Sequence, residues 1–145
     1  MKEYQTEQIR NIGIVGHSGT GKTSLIEAIL YNGGAIERMG QVDNENSVSD
    51  YAPDEIERKM TINCSVCAAE WKGYKLNVID TPGVEDFYGD LESVLRVIDA
   101  LVVVVDATTG VEGGTEKVWE AADRYEIPRL IFINKMDKED RKSVV

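Results

Sequence analysis

The sequence predicts an α/β fold, a doubly wound and mainly parallel sheet flanked by helices, and three observations carry that prediction. Short apolar strands alternate along the chain with stretches of helical spacing. The run "LVVVV", Leu101 to Val105, is apolar with no polar alternation, as expected of a parallel strand covered on both faces. A glycine-rich loop, Gly16 to Thr23, stands between the first strand and the first helix, where sheets of this kind bind ligands.

The elements follow in order. Ile12 to Val15 form the first strand, and Leu25, Ile26, Ile29 and Leu30 repeat at helical spacing after the loop. Gly33 to Met60 holds no sustained apolar period and carries Gly, Asn, Ser, Pro and many charges, which predicts a long functional loop, mobile without a ligand. Thr61 to Trp71 and Lys75 to Ile79 read as strands joined through "KGY" in an antiparallel hairpin. Phe87, Leu91, Val94, Leu95 and Ile98 keep helical spacing before "LVVVV". Val118, Ala121, Ala122 and Tyr125 give another helical stripe, and "RLIFIN" after Pro128 a fifth strand. With no repeat and no linker, residues 1–145 are expected to form one domain.

A net charge of −10 argues against nucleic-acid binding by broad attraction, so direct DNA binding is not expected. No apolar run reaches membrane-spanning length, and "MKEYQTEQIR" lacks the apolar centre of a signal peptide, so the default location is the cytoplasm. The two cysteines, Cys64 and Cys67, form a CxxC that offers too few ligands for zinc. Three apart on a strand, they would face opposite sides, which suits reduced core residues.

"GHSGTGKT" admits two chemistries. As a hydrolase nucleophile elbow it would need glycine where Thr20 stands, and a separate histidine base for Ser18. The only histidine is the adjacent His17. As a phosphate cradle it is complete, Gly-x4-Gly-Lys-Thr, which makes the predicted fold that of a P-loop NTPase. Gly16, Gly19 and Gly21 let the backbone wrap closely, so that N–H groups from His17 and Ser18 through Thr20 to Ser24 can point at phosphate oxygens. Lys22 places a charge on the terminal phosphates, and the Thr23 hydroxyl can ligate Mg²⁺.

Two further motifs fall at strand ends. "DTPG" offers Asp80 to hold Mg²⁺ through water and the Gly83 N–H to reach a γ-phosphate. "NKMD", Asn134 to Asp137, offers an aspartate that can accept from guanine N1–H and the 2-amino group, which adenine cannot supply. A buried carboxylate left unpaired by the wrong base would discriminate by about 10⁴ or more. Asp137 therefore favours GTP and GDP over an ATPase reading. Thr61 can give the metal a second hydroxyl, completing Thr23, Thr61 and Asp80 as metal ligands.

With these motifs in order, "IRNIGIVGH…GKT", "ERKMTI", "DTPG…DF" and "NKMD", the sequence resembles the translational GTPases of the elongation factor G branch across nearly its whole length. The resemblance implies a G domain acting on the ribosome through two switches, roughly Gly40 to Thr61 and Asp80 to about Gly89. It implies catalytic parts for Lys22, Thr61 and Gly83, with Lys135 stacking on guanine beside Asn134.

Three departures stand out. The family's switch II has histidine where this chain has Val84, and the histidine positions the attacking water. The family's phosphate loop usually has aspartate at Gly19, so "GHSGTGKT" looks more like an elongation-factor-G-like paralogue. The family also continues, beyond NKMD, into another strand, a Ser-Ala loop over the guanine and ribosome-contacting domains. A C-terminally truncated G domain, binding nucleotide more weakly than its parent, is the expectation. Two readings remain: a Mg²⁺-dependent GTPase, weak in this fragment, or a GTP-binding switch with little hydrolysis because of Val84.

Overall fold

A computed structural model describes residues 2–40, 47–48, 61, 64–83 and 88–139. Most of the long loop, with "ERKM", and the switch II positions Val84 and Glu85 lie outside the described residues. After a short 3₁₀ turn at Thr6–Gln8, the elements are β1 (Ile9–Val15), α1 (Lys22–Asn32), β2 (Ser65–Trp71), β3 (Tyr74–Asp80), α2 (Tyr88–Leu95), β4 (Ala100–Asp106), α3 (Gly113–Arg124) and β5 (Arg129–Asn134).

The five strands form one sheet in the order β2-β3-β1-β4-β5. All neighbouring pairs are parallel except the β2–β3 hairpin, as the "KGY" turn predicts. That turn is tight because Lys72 and Gly73 both take positive φ, 48° and 85°. β2 begins at Ser65, so Thr61 precedes the strand instead of starting it. Its burial alternates from Ser65 to Ala69 because this edge strand covers one face only. α2 ends at Leu95, and Ile98 packs on the core from the turn that follows.

Successive side chains of a strand point to opposite faces, and this divides the core in two. Leu101, Val103 and Val105 join Val15 on one face, where Leu91 and Leu95 of α2 and Val118, Ala121 and Ala122 of α3 cover them. Val104 joins Ile14, Val78, Cys67 and Ala69 on the other, under Ile26 and Leu30 of α1. Burying Ile26 and Leu30 contributes about 1.5–3 kcal/mol each and fixes α1 against the centre of the sheet. Cys67 is a core residue, and neither cysteine is in a disulfide.

Asn11 ties β1 to its neighbours. Its N–H donates to Asp99 Oδ2 at 2.7 Å, its side-chain amide donates to the Val97 carbonyl, and its Oδ1 accepts from Asn77. Because these strands pair parallel, the carboxyl ends of β1, β3, β4 and β5 come together at one end of the sheet. Every motif named above that the structure describes sits there.

Candidate functional site

The phosphate-loop candidate leaves β1 at Val15 and re-enters helix at Lys22. Two of its glycines, Gly16 and Gly21, are held by close approaches. A Cβ on Gly16 would strike the Val104 carbonyl, and one on Gly21 would strike the Asn134 side-chain amide. Gly21 is also the N-terminal cap of α1, at φ 95° and ψ 28°, the left-handed region that costs a side chain steric strain. Gly21→Ala is therefore expected to cost about 1–3 kcal/mol and to lower the melting temperature by several degrees, checked by thermal denaturation.

The loop braces itself. Thr20, 2% exposed, donates its hydroxyl to the His17 carbonyl at 2.9 Å. Lys22 is almost fully buried, and its ammonium donates to the Gly16 and His17 carbonyls, both at 3.1 Å. The charge is thus stored at the mouth of the loop, beside the N-terminus of α1, where an anion is favoured by dipole and N–H groups alike. Ser18, Gly19 and Ser24 face solvent. His17 is partly buried, its Nδ1 3.8 Å from Glu112 Oε2 at the start of α3.

Three oxygen side chains from separate segments meet behind Lys22. Thr23 Oγ1 lies 3.3 Å from Thr61 Oγ1 and donates to Asp80 Oδ2 at 3.3 Å. All three residues are buried, Asp80 completely. Two hydroxyls and one carboxylate are the hard donors Mg²⁺ prefers, and adjacent ligands around it, with bonds of about 2.1 Å, lie roughly 3 Å apart. The donor set fits such an ion. Next to Asp80, Thr81 donates its hydroxyl to the Ile14 carbonyl at 2.8 Å and pins this turn to β1.

Gly83 sits directly against the loop. A Cβ there would approach Ser18 Cβ at 2.9 Å and Ser18 N at 3.0 Å. A side chain there would force Ser18 to shift, so glycine lets this turn stand close against the phosphate loop.

"NKMD" joins the same cluster from β5. The Asn134 side-chain amide donates to the Thr20 carbonyl at 2.8 Å, so it supports the phosphate loop itself. Lys135 takes φ 58° and donates to the Gly19 carbonyl at 2.6 Å and to Asp106 Oδ2 at 2.5 Å. Asp137 is exposed, where the sequence reading assumed a buried carboxylate; the turn after β5 places it at the surface.

Asp106 was not among the sequence candidates. Burial at the end of β4 favours its neutral form, but hydrogen bonds from Lys135 and from the Thr108 hydroxyl and N–H outweigh that and hold its pKa well below the carboxylate range. Its ion pair with Lys135 links β4, β5 and the phosphate loop. The available signal was an acid closing an otherwise apolar strand. Glu27, fully buried on α1, was missed as well.

The chain matches the family described as the elongation factor Tu GTP binding domain over residues 7–145. It is similar to elongation factor G of Thermotoga petrophila, 48% identical over 132 residues that cover 91% of this chain and 19% of that protein. Elongation factor G 2 of Borreliella afzelii is 45% identical over 130 residues, 90% of this chain and 19% of that one. A crystal structure of a protein from Thermus thermophilus matches with a TM-score of 0.85 at 38% identity, covering 90% of this chain and 20% of the other. The chain spans about a fifth of the length of these relatives.

Proposed function

The chain belongs to the elongation factor Tu GTP-binding-domain family, as an elongation-factor-G-like translational GTPase, and from that premise we propose that it binds GTP and GDP with Mg²⁺ and hydrolyses GTP in a step of translation on the ribosome. Residues 1–145 act in this reading as one GTP-binding domain of a cytoplasmic factor. The ribosome is reached through the full-length protein, without direct DNA or membrane binding; among the described residues no helix is long and apolar enough to cross a membrane.

The observation that carries the proposal is the meeting of Thr23, Thr61 and Asp80 within hydrogen-bond range. Three segments otherwise far apart in sequence place two hydroxyls and a carboxylate together, the hard oxygen donors that suit a divalent cation. Bound there, Mg²⁺ supplies positive charge against the phosphates.

The protein's own groups do the rest by position. Lys22 transfers its ammonium from two backbone carbonyls to phosphate oxygens, a short movement of a flexible stem. The N–H groups of the loop from His17 to Ser24 hold the remaining phosphate oxygens. The Gly83 N–H, beside Ser18, meets the terminal phosphate and registers its loss. Lys135 keeps its contact with Gly19 and lays its aliphatic stem along the guanine, while Asp137 accepts from the base edge. Little covalent chemistry falls to the protein, so the rate depends on how well these groups are placed.

Val84 supports a second reading, a GTP-loaded switch with little hydrolysis, because an isopropyl group cannot orient water. Single-turnover hydrolysis by the full-length protein separates the two. Intrinsic turnover is expected near 10⁻⁴ s⁻¹, roughly the unassisted value, and ribosomes are expected to raise it by several orders of magnitude. No stimulation would leave only the switch reading. Val84→His is then expected to gain rate; no gain would remove Val84 as the explanation.

A further inference from the structure

Glu27 is a carboxylate with 1% of its surface exposed, in the middle of α1. Burial of such a group is costly without partners, and the partners here come from one place. Its Oε2 accepts from the Gly40 N–H at 2.8 Å. Its Oε1 accepts from the Ser47 hydroxyl at 3.1 Å and the Val48 N–H at 2.5 Å. All three donors belong to the segment between α1 and β2, which carries Thr61 four residues before the strand begins. On α1, Glu27 follows Thr23 by four residues, so the two lie on the same face one turn apart.

We propose that Glu27 is a positioning residue, which fastens the α1–β2 segment at Gly40 and Ser47–Val48 so that Thr61 meets Thr23 and Asp80, and that it thereby sets the preference for the triphosphate over the diphosphate. The second half rests on the guanine-nucleotide reading above. Thr61 is held on one side by β2, which begins four residues later at Ser65. The fastening holds the chain on the other side as well, at Val48, and a residue ordered beforehand near its place loses less freedom when it meets its ligands. Thr61 offers its hydroxyl where the terminal phosphate and the metal meet, so the gain falls on GTP more than on GDP.

The test compares the wild-type chain with Glu27→Gln, which keeps side-chain volume but turns an NH₂ group toward N–H or O–H donors. Three quantities are read: amide hydrogen exchange at Gly40 and Val48, and the dissociation constants of Mg²⁺–GDP and of a non-hydrolysable Mg²⁺–GTP analogue. The expected result is exchange faster by tenfold or more, GDP affinity unchanged within twofold, and a preference for the GTP analogue reduced threefold or more. Unchanged exchange, or equal weakening of both nucleotides, overturns the proposal. If the wild type binds neither nucleotide, the functional reading above fails, and the exchange arm alone decides whether Glu27 fastens the segment. Ser47→Ala, which leaves the carboxylate in place, is expected to act in the same direction by less. It decides the question should Glu27→Gln not fold.

Discussion

Lys22→Ala weakens binding of both GDP and GTP by about 10²–10³-fold, the largest effect expected of any single substitution in the site. Removing one member of a buried, hydrogen-bonded charge pair costs about 2–5 kcal/mol, because the other member is left without compensation. The bound phosphates would be that other member. The chain carries a net charge of −10 and so gives a nucleotide no general attraction; affinity has to come from local groups. Of these, Lys22 is the buried cation at the N-terminus of α1, and its ammonium already stands 3.1 Å from two loop carbonyls.

Losing those two contacts also loosens the loop. The variant's melting temperature therefore belongs beside its dissociation constants, and a folded Lys22→Ala chain that binds GDP within threefold of wild type would contradict the cradle assignment. Raised salt is a second readout. A buried pair is screened far less than surface charge, so wild-type affinity should fall only modestly between low and physiological ionic strength.

The cradle and the sheet were legible in the sequence because each leaves a local mark. Gly16 and Gly21 stand where no Cβ fits, and the alternation of Leu101, Val103 and Val105 with Val104 is the two-faced core written in one strand. Thr61 and Asp80 were placed by motif, and the structure does bring them to Thr23. Glu27 left no comparable mark. An acid inside a helical stripe reads as a solvent-facing residue until its partners are known, and these lie 13, 20 and 21 residues further along the chain. Asp106 was hidden for the same reason, since its partner Lys135 is 29 residues away. Lys135 and Asn134 were named from their motif, yet their contacts to the Gly19 and Thr20 carbonyls were not read, because a motif names residue types and says nothing of what they brace. Asp137 is the case in which residue type and position were legible and environment was not.

That environment sets the size of the second large effect. Asp137→Ala removes an acceptor for two guanine donors, and hydrogen bonds to a charged group are worth about 1.5–3 kcal/mol each. Were the carboxylate buried before the base arrives, both bonds would count almost fully, and discrimination near 10⁴ would follow. The structure has Asp137 exposed, so water already satisfies it and must be displaced when guanine binds. The lower end of the range is then expected: GTP affinity falls by about 10²-fold in Asp137→Ala, while ATP affinity, which never used these bonds, stays within a few fold. Inosine triphosphate separates the two donors, because it keeps N1–H and lacks the 2-amino group; wild type should bind it about tenfold more weakly than GTP, and Asp137→Ala should not distinguish the two. Competition titrations with the three nucleotides measure all of this at once. If ATP displaces GTP from the wild-type chain at similar concentration, Asp137 does not read the base.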